Sequence, residues 1–127
     1  MKEVIPAWTR PMYDAYHFAP AVIDGDLLRC SGMIGLRADL SVPEDPAEQF
    51  TQAFENLRGL LSEVGLALSD VVEMTSYHVG LRANVDTFVA VKDTFMSAPH
   101  AAWTAVGVSE LAFPGALAEI QVTARLR

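Results

Sequence analysis

The sequence predicts an α+β sandwich in which two helices cover one face of a five- or six-stranded mixed sheet. Three observations carry that prediction. Residues 117–126, LAEIQVTARL, alternate: Ile120, Val122, Ala124 and Leu126 point one way, Glu119, Gln121, Thr123 and Arg125 the other. A period of two is a strand with one apolar face. Phe50, Ala53, Phe54, Leu57, Leu60, Leu61 and Val64 instead recur every three or four residues, the stripe of a helix with one buried side. Finally, the elements run hairpin, helix, strand, helix, strand, strand, so two helices serve one sheet.

In chain order, residues 1–20 combine three prolines, two tyrosines, a tryptophan and a histidine without sustained period, and predict an irregular arm packed on the domain. Val22–Ile23 then turns at Asp24-Gly25-Asp26 into Leu27–Ser31, a β-hairpin. Gly32 to Pro46 reads as an exposed loop. The first helix starts at Pro46, with Glu48 suited to its N-terminal dipole, and Gly65 ends it. Val71–Val79 predicts a strand of mixed burial. A second helix begins near Asn84, taken as its N-cap, and runs through Val85, Phe88, Val91 and Phe95 until Pro99 stops it. Ala98–Val108 is small and apolar, a strand. Leu111–Gly115 is a turn-rich link to the last strand.

Composition narrows the function classes. At 127 residues, 51% apolar and 20% charged, the chain has material for one domain, residues 1–127, with a real core. No run approaches the ~20 apolar residues of a membrane helix, and MKEVIPAWTRPMYDAY has no apolar signal core. The lone Cys30 cannot form an internal disulfide, so a cytoplasmic protein without membrane partners is expected. A net charge of −7, with nine scattered basic residues, argues against nucleic acid. His17, His78 and His100 lack ligand-type spacing, so neither metal nor cofactor is expected.

Two helices leave the other sheet face bare. Val71, Thr75, Tyr77 and parts of Trp103 and Ala105 are expected there, and association between copies is the simplest way to cover them. Glu119 is expected on a strand beside Trp103 and Thr104, at the mouth of a site. A carboxylate against that apolar ring would have a raised pKa and serve as general base or acid.

Several stretches resemble the Rid family, the YjgF-type reactive-intermediate imine/enamine deaminases also labelled endoribonuclease L-PSP. They are Gly25-Asp26-Leu27-Leu28 leading to Ser31-Gly32, Gln52 to Leu57 followed by Gly65 and Asp70-Val71-Val72, Trp103-Thr104, and Glu119-Ile120-Gln121-Val122. The wording around Asn56-Leu57, Ser76-Tyr77-His78 and Trp103 to Val108 is nearest a YjgH-like branch. The resemblance runs from about Phe18 to the end. It implies a chorismate-mutase-like fold and a homotrimer, with small-molecule sites in the clefts between subunits.

In active members of that family, an arginine clamps the carboxylate of a short imine or enamine acid. A glutamate holds the water that attacks the C=N carbon and releases ammonia, while a tyrosine and a Ser-Gly segment shape the pocket. These roles fall on Trp103, Glu119, Phe18 and Ser31-Gly32, with Thr104 beside Trp103. Two of them have lost their polar group. An indole offers one N–H and no charge where a guanidinium offers a planar fork, and losing such a partner costs about 2–5 kcal/mol. Arg29 and Arg37 are the candidate substitutes, Arg37 in the loop after Ser31-Gly32. The resemblance thus implies a modified inter-subunit site, hydrolysing an imine or enamine other than 2-aminoacrylate. The alternative is a non-catalytic metabolite-binding or protein-interaction module of the same fold.

Overall fold

A computed structural model describes residues 1–127. The elements are β1 (Lys2–Val4), α1 (Arg10–Tyr16), β2 (Ala21–Asp24), β3 (Leu27–Cys30), β4 (Met33–Ile34), α2 (Pro46–Ser62), β5 (Val71–His78), α3 (Leu81–Phe95), β6 (Ala102–Gly107) and β7 (Ala118–Arg125). The seven strands make one mixed sheet in the order β1-β2-β3-β7-β5-β6, with β4 also paired to β7. Only β5 and β6 run parallel, as expected of strands joined by a helical crossover.

The alternation of β7 decides which side is core. Ala118, Ile120, Val122 and Ala124 are buried, while Glu119, Gln121, Thr123 and Arg125 face the other way. Against the buried side lie α2 and α3. Phe50, Phe54, Leu57, Leu60 and Leu61 of α2 are fully buried, as is Phe88 of α3. Phe88 meets Phe50 edge-on at 5.3 Å, and Phe54 stacks on Phe95 at 5.3 Å. Each such pair adds about 0.5–1.5 kcal/mol beyond the area it buries. Asp45 caps α2 by accepting the Glu48 N–H at 3.0 Å, and Pro46 occupies the first turn, where its missing N–H costs nothing.

The hairpin forms at the expected place. Asp24 pairs with Leu27, leaving a two-residue turn with Gly25 at φ 64, the left-handed conformation such turns require. Elsewhere the structure departs from the expectation. The sheet has seven strands because Lys2–Val4 pairs with β2 and Met33–Ile34 pairs with β7. The N-terminal arm therefore holds a strand and a helix, and the loop after Gly32 holds a strand. Helix α2 ends at Ser62, before Gly65. Helix α3 starts at Leu81, with Gly80 (φ 72) as N-cap, and Asn84 lies inside it, its amide directed back to the Gly80 carbonyl.

The largest departure concerns β6. Trp103 pairs with Met74, which pairs with Val122, so Trp103 shares the helix-covered face with two core residues. Ala105 pairs with buried Ser76 and shares that face. Val71 is buried as well, ahead of a register shift between Val71 and Glu73. What faces outward is the row Glu119, Tyr77, Val106 and the row Gln121, Thr75, Thr104.

Candidate functional site

Glu119 stands on the uncovered face of β7, between Ile34 of β4 and Tyr77 of β5. Its side chain lies flat over Gly32: a β-carbon at Gly32 would sit 2.5 Å from Glu119 Cδ and 2.7 Å from Oε1. No hydrogen bond or ion pair reaches the carboxylate, and burial alone pushes its pKa above the ordinary 4.5. A half-buried carboxylate without a partner disfavours its own charged form, and retains the proton affinity a general base needs.

The backbone around this carboxylate is tied on three sides. Ser31 donates its N–H to the Pro20 carbonyl at 2.8 Å and its hydroxyl to the Ala19 carbonyl at 2.7 Å. Those bonds hold the segment that carries Phe18, a ring 39% exposed. Asn56 of α2 donates to the Ile34 and Leu36 carbonyls at 3.0 and 2.9 Å, fixing β4. Gln49, 1% exposed, donates to the Pro43 and Gly115 carbonyls and accepts the Leu117 N–H, fixing the entry to β7. Gly32 and Glu119 are thereby in contact, with Ser31 next in the chain and bonded to the segment that follows Phe18.

Trp103 belongs to a second group. Its indole N–H donates to Ser76 Oγ at 2.8 Å, and Ser76 Oγ lies 2.7 Å from His78 Nε2. Phe88 stacks on the indole at 5.9 Å and meets His78 edge-on at 4.6 Å. Burial holds the His78 pKa below its ordinary value, so the ring stays neutral near pH 7. Its Nδ1 is buried without a partner. Lys92 Nζ sits 5.2 Å from the Trp103 ring centroid.

The sequence therefore leads to two groups, not one. Glu119 and Trp103 lie on opposite faces of the sheet, with β5 between their strands. Thr104 is exposed on the uncovered face, opposite Thr75. Arg37 donates to Ser41 Oγ at 3.1 Å within its own loop, and Arg29 is engaged with Asp24 at 2.9 Å. Ser76, Phe88 and Lys92 were not singled out from sequence. The signals were present: Ser76 and His78 are two apart on a strand, and Phe88 and Lys92 are four apart on a helix. Two concavities of about 470 and 500 Å³ lie on the α2–α3 seam and beneath the Ser109–Leu117 loop. Neither includes Glu119 or Trp103.

No group of three or more His, Cys, Asp or Glu side chains is placed to hold a metal ion, and no helix is long and apolar enough to cross a membrane. Cys30 is buried, its pKa pushed up to about 12, which leaves the thiol protonated and unreactive.

A mixed seven-stranded sheet backed by two helices on one face is the YjgF-type α+β fold. The chain belongs to the Endoribonuclease L-PSP family, also called the Rid or YjgF family, whose sequence pattern matches residues 9–126. It is 36% identical over 124 residues to the RutC family protein YjgH of Escherichia coli K12, covering 97% of this chain and 93% of the relative. It is 31% identical over 99 residues, 74% of either chain, to a protein of Dermatophagoides farinae named 2-iminobutanoate/2-iminopropanoate deaminase. Among solved structures, one of a protein YJGH superimposes with a TM-score of 0.89 at 35% identity, covering 98% of this chain and 95% of that one.

Proposed function

We propose that the chain assembles as a homotrimer with small-molecule sites between subunits, at which Glu119 promotes hydrolysis of an imine or enamine other than 2-aminoacrylate. The observation that carries this reading is the Glu119 carboxylate, half-buried, unpaired and fixed over Gly32. Structural carboxylates on strands are normally hydrated or paired. This one has neither a cation nor a hydrogen-bond donor in the protein, and a carboxylate whose pKa burial raises in such a setting is a candidate for chemistry.

The division into two groups supports the inter-subunit part. One chain holds Glu119 and Trp103 on opposite sheet faces, so a ligand touching both needs a second copy. The uncovered face, which exposes Val72, Thr104 and Val106, is the surface such a copy would cover.

In this site Glu119 would accept a proton from a water held between its oxygens and the imine carbon. The oxygen adds to carbon as Glu119 passes that proton on to the nitrogen, giving a carbinolamine; its hydroxyl proton then moves by way of Glu119 to the nitrogen, the C–N bond breaks, ammonia leaves and a ketone remains. An enamine must first tautomerise to the imine, a proton transfer the same carboxylate can serve. Phe18, Ser31 and Gly32 would shape one wall and Trp103 another. The two aromatic rings favour a larger, flatter substrate than a three-carbon acid.

The test is ammonia release from imines generated in situ by an amino-acid oxidase, comparing wild type with Glu119→Gln. Turnover reduced by about 10²–10⁴-fold in the variant supports general base catalysis. Equal turnover in both proteins removes Glu119 from the chemistry. Silence in both, with a ligand still bound, would favour the non-catalytic binding module.

A further inference from the structure

We propose that Ser76 and His78 form an acid-sensitive latch on Trp103. With His78 neutral the indole is locked and the edge strand β6 is held against β5; when His78 gains a proton the lock opens and releases β6 with Trp103. The latch goes beyond the function proposed above and needs neither Glu119 nor a bound ligand.

The direction of each hydrogen bond follows from its donors. An indole nitrogen can only donate, so Ser76 Oγ accepts from Trp103 at 2.8 Å. The single hydroxyl hydrogen is then free for His78 Nε2, 2.7 Å away, which accepts it without a proton of its own. The imidazole proton therefore sits on Nδ1, where no protein acceptor meets it. The reverse arrangement, with Nε2 donating, leaves both the hydroxyl hydrogen and Nδ1 unfilled. A second proton can enter only at Nε2. Ser76 Oγ then receives two donors, and its own hydrogen loses its acceptor. The charge would rest on a side chain with no exposed surface, which is costly without a partner.

Nothing around the ring offsets that charge. Phe88 of α3 meets it edge-on, with Phe50 of α2 behind, and its strand partners are Ala118 of β7 and Gly107 of β6. None is ionisable. Arg82, Asp86 and Asp93 of α3 are exposed, as are Glu48, Glu55 and Arg58 of α2 and Glu110 after β6. Glu119 of β7 lies on the other sheet face. The one charge against the cluster is Lys92, 5.2 Å from the Trp103 ring centroid, and a second cation opposes protonation. Burial keeps the His78 pKa below 6.5, so the folded chain holds this proton more weakly than the unfolded chain. The stability from a neutral ring is present above pH 6.5 and is lost as pH falls from there through the folded pKa.

The sheet decides what gives way. Strand β6 is an edge bonded to β5 alone, and four of its six residues are exposed. Lifting Trp103 off Phe88 and Ser76 brings water to the charged ring while the α2 core stays closed.

The test is NMR of the full chain from about pH 7 to about pH 5. The wild-type imidazole nitrogen shifts should place the proton of His78 on Nδ1 at neutral pH. Below pH 6.5, protection of the Trp103 indole N–H and the β6 amides from hydrogen exchange, corrected for the intrinsic rate, should fall by up to about tenfold per pH unit. That protection should lie well below that of the Ile120 and Val122 amides of β7 throughout. His78→Gln, which offers Ser76 an amide and cannot titrate, should abolish the slope. A proton on Nε2, wild-type protection independent of pH, the same slope in His78→Gln, or equal protection of Trp103 and β7 each overturns the inference. The nitrogen shifts and the wild-type slope decide it even if His78→Gln does not fold.

Discussion

Replacing Gly32 by alanine tests whether the placement of Glu119 matters more than its presence. The new β-carbon would lie 2.5 Å from Glu119 Cδ, 2.6 Å from Cγ and 2.7 Å from Oε1. Ordinary contact begins near 3.4 Å, so the carboxylate must retreat by about 1 Å. The atoms it meets are the end of a flexible side chain, and Gly32 does not use the left-handed backbone that would itself exclude alanine. The fold should absorb the change within about 1 kcal/mol, since overpacking is relieved by rotation and the unfolded chain loses entropy. A catalytic group misplaced by 1 Å loses on the order of 100-fold in rate. The prediction is a kcat for ammonia release lowered about 100-fold, with a Tm within about 4 °C of wild type. Wild-type kcat in Gly32→Ala would refute the argument that this glycine sets the carboxylate's position. Unfolding would refute the claim that only Glu119 must move.

Three further predictions follow from the same contacts. Burial raises the Glu119 pKa in the folded state, so the native protein holds that proton more tightly than the unfolded chain, and stability falls as pH rises through and above 4.5. Glu119→Gln should therefore melt above wild type at pH 7, with the difference shrinking toward pH 4, as read by thermal melts across pH; a variant less stable at pH 7 would contradict this. Ser76→Ala leaves the Trp103 N–H and His78 Nε2 without a partner in a covered space, and should cost about 2–4 kcal/mol in urea unfolding. Gln49→Ala severs three bonds to the Pro43, Gly115 and Leu117 backbone. It should cost about 3 kcal/mol, with the Leu117 amide losing hydrogen-exchange protection ahead of the core.

How much of this was legible follows from how each element is stabilised. Strand β7 and helix α2 announce themselves because each buries one face along its whole length, which forces a period on the sequence. Strands β1 and β4 have three and two residues. Such segments are too short to carry a period, and they exist because a neighbouring strand offers hydrogen bonds. Asn84 looked like a helix cap, yet Gly80, in the left-handed conformation, opens α3 a turn earlier. The face of Trp103 was hidden for another reason. Residues 101–108 are small or apolar throughout, so their parity is set only by pairing with β5. Glu119 could be found because its own strand alternates strictly. The coupling of Ser76, His78, Phe88 and Lys92 to Trp103 spans two strands and a helix, contacts that only the folded chain brings together.

The most direct test of a site shared between subunits is an NMR titration of the labelled protein with phenylglyoxylate, the flat oxo acid that hydrolysis of the matching aromatic imine would leave. Shifts would be followed at the Gly32 and Glu119 amides and at the Trp103 indole N–H. These probes lie on opposite sheet faces of one chain. The account predicts that all three move together, with one Kd and one ligand per subunit. Shifts confined to one group, or two separate Kd values, would contradict it.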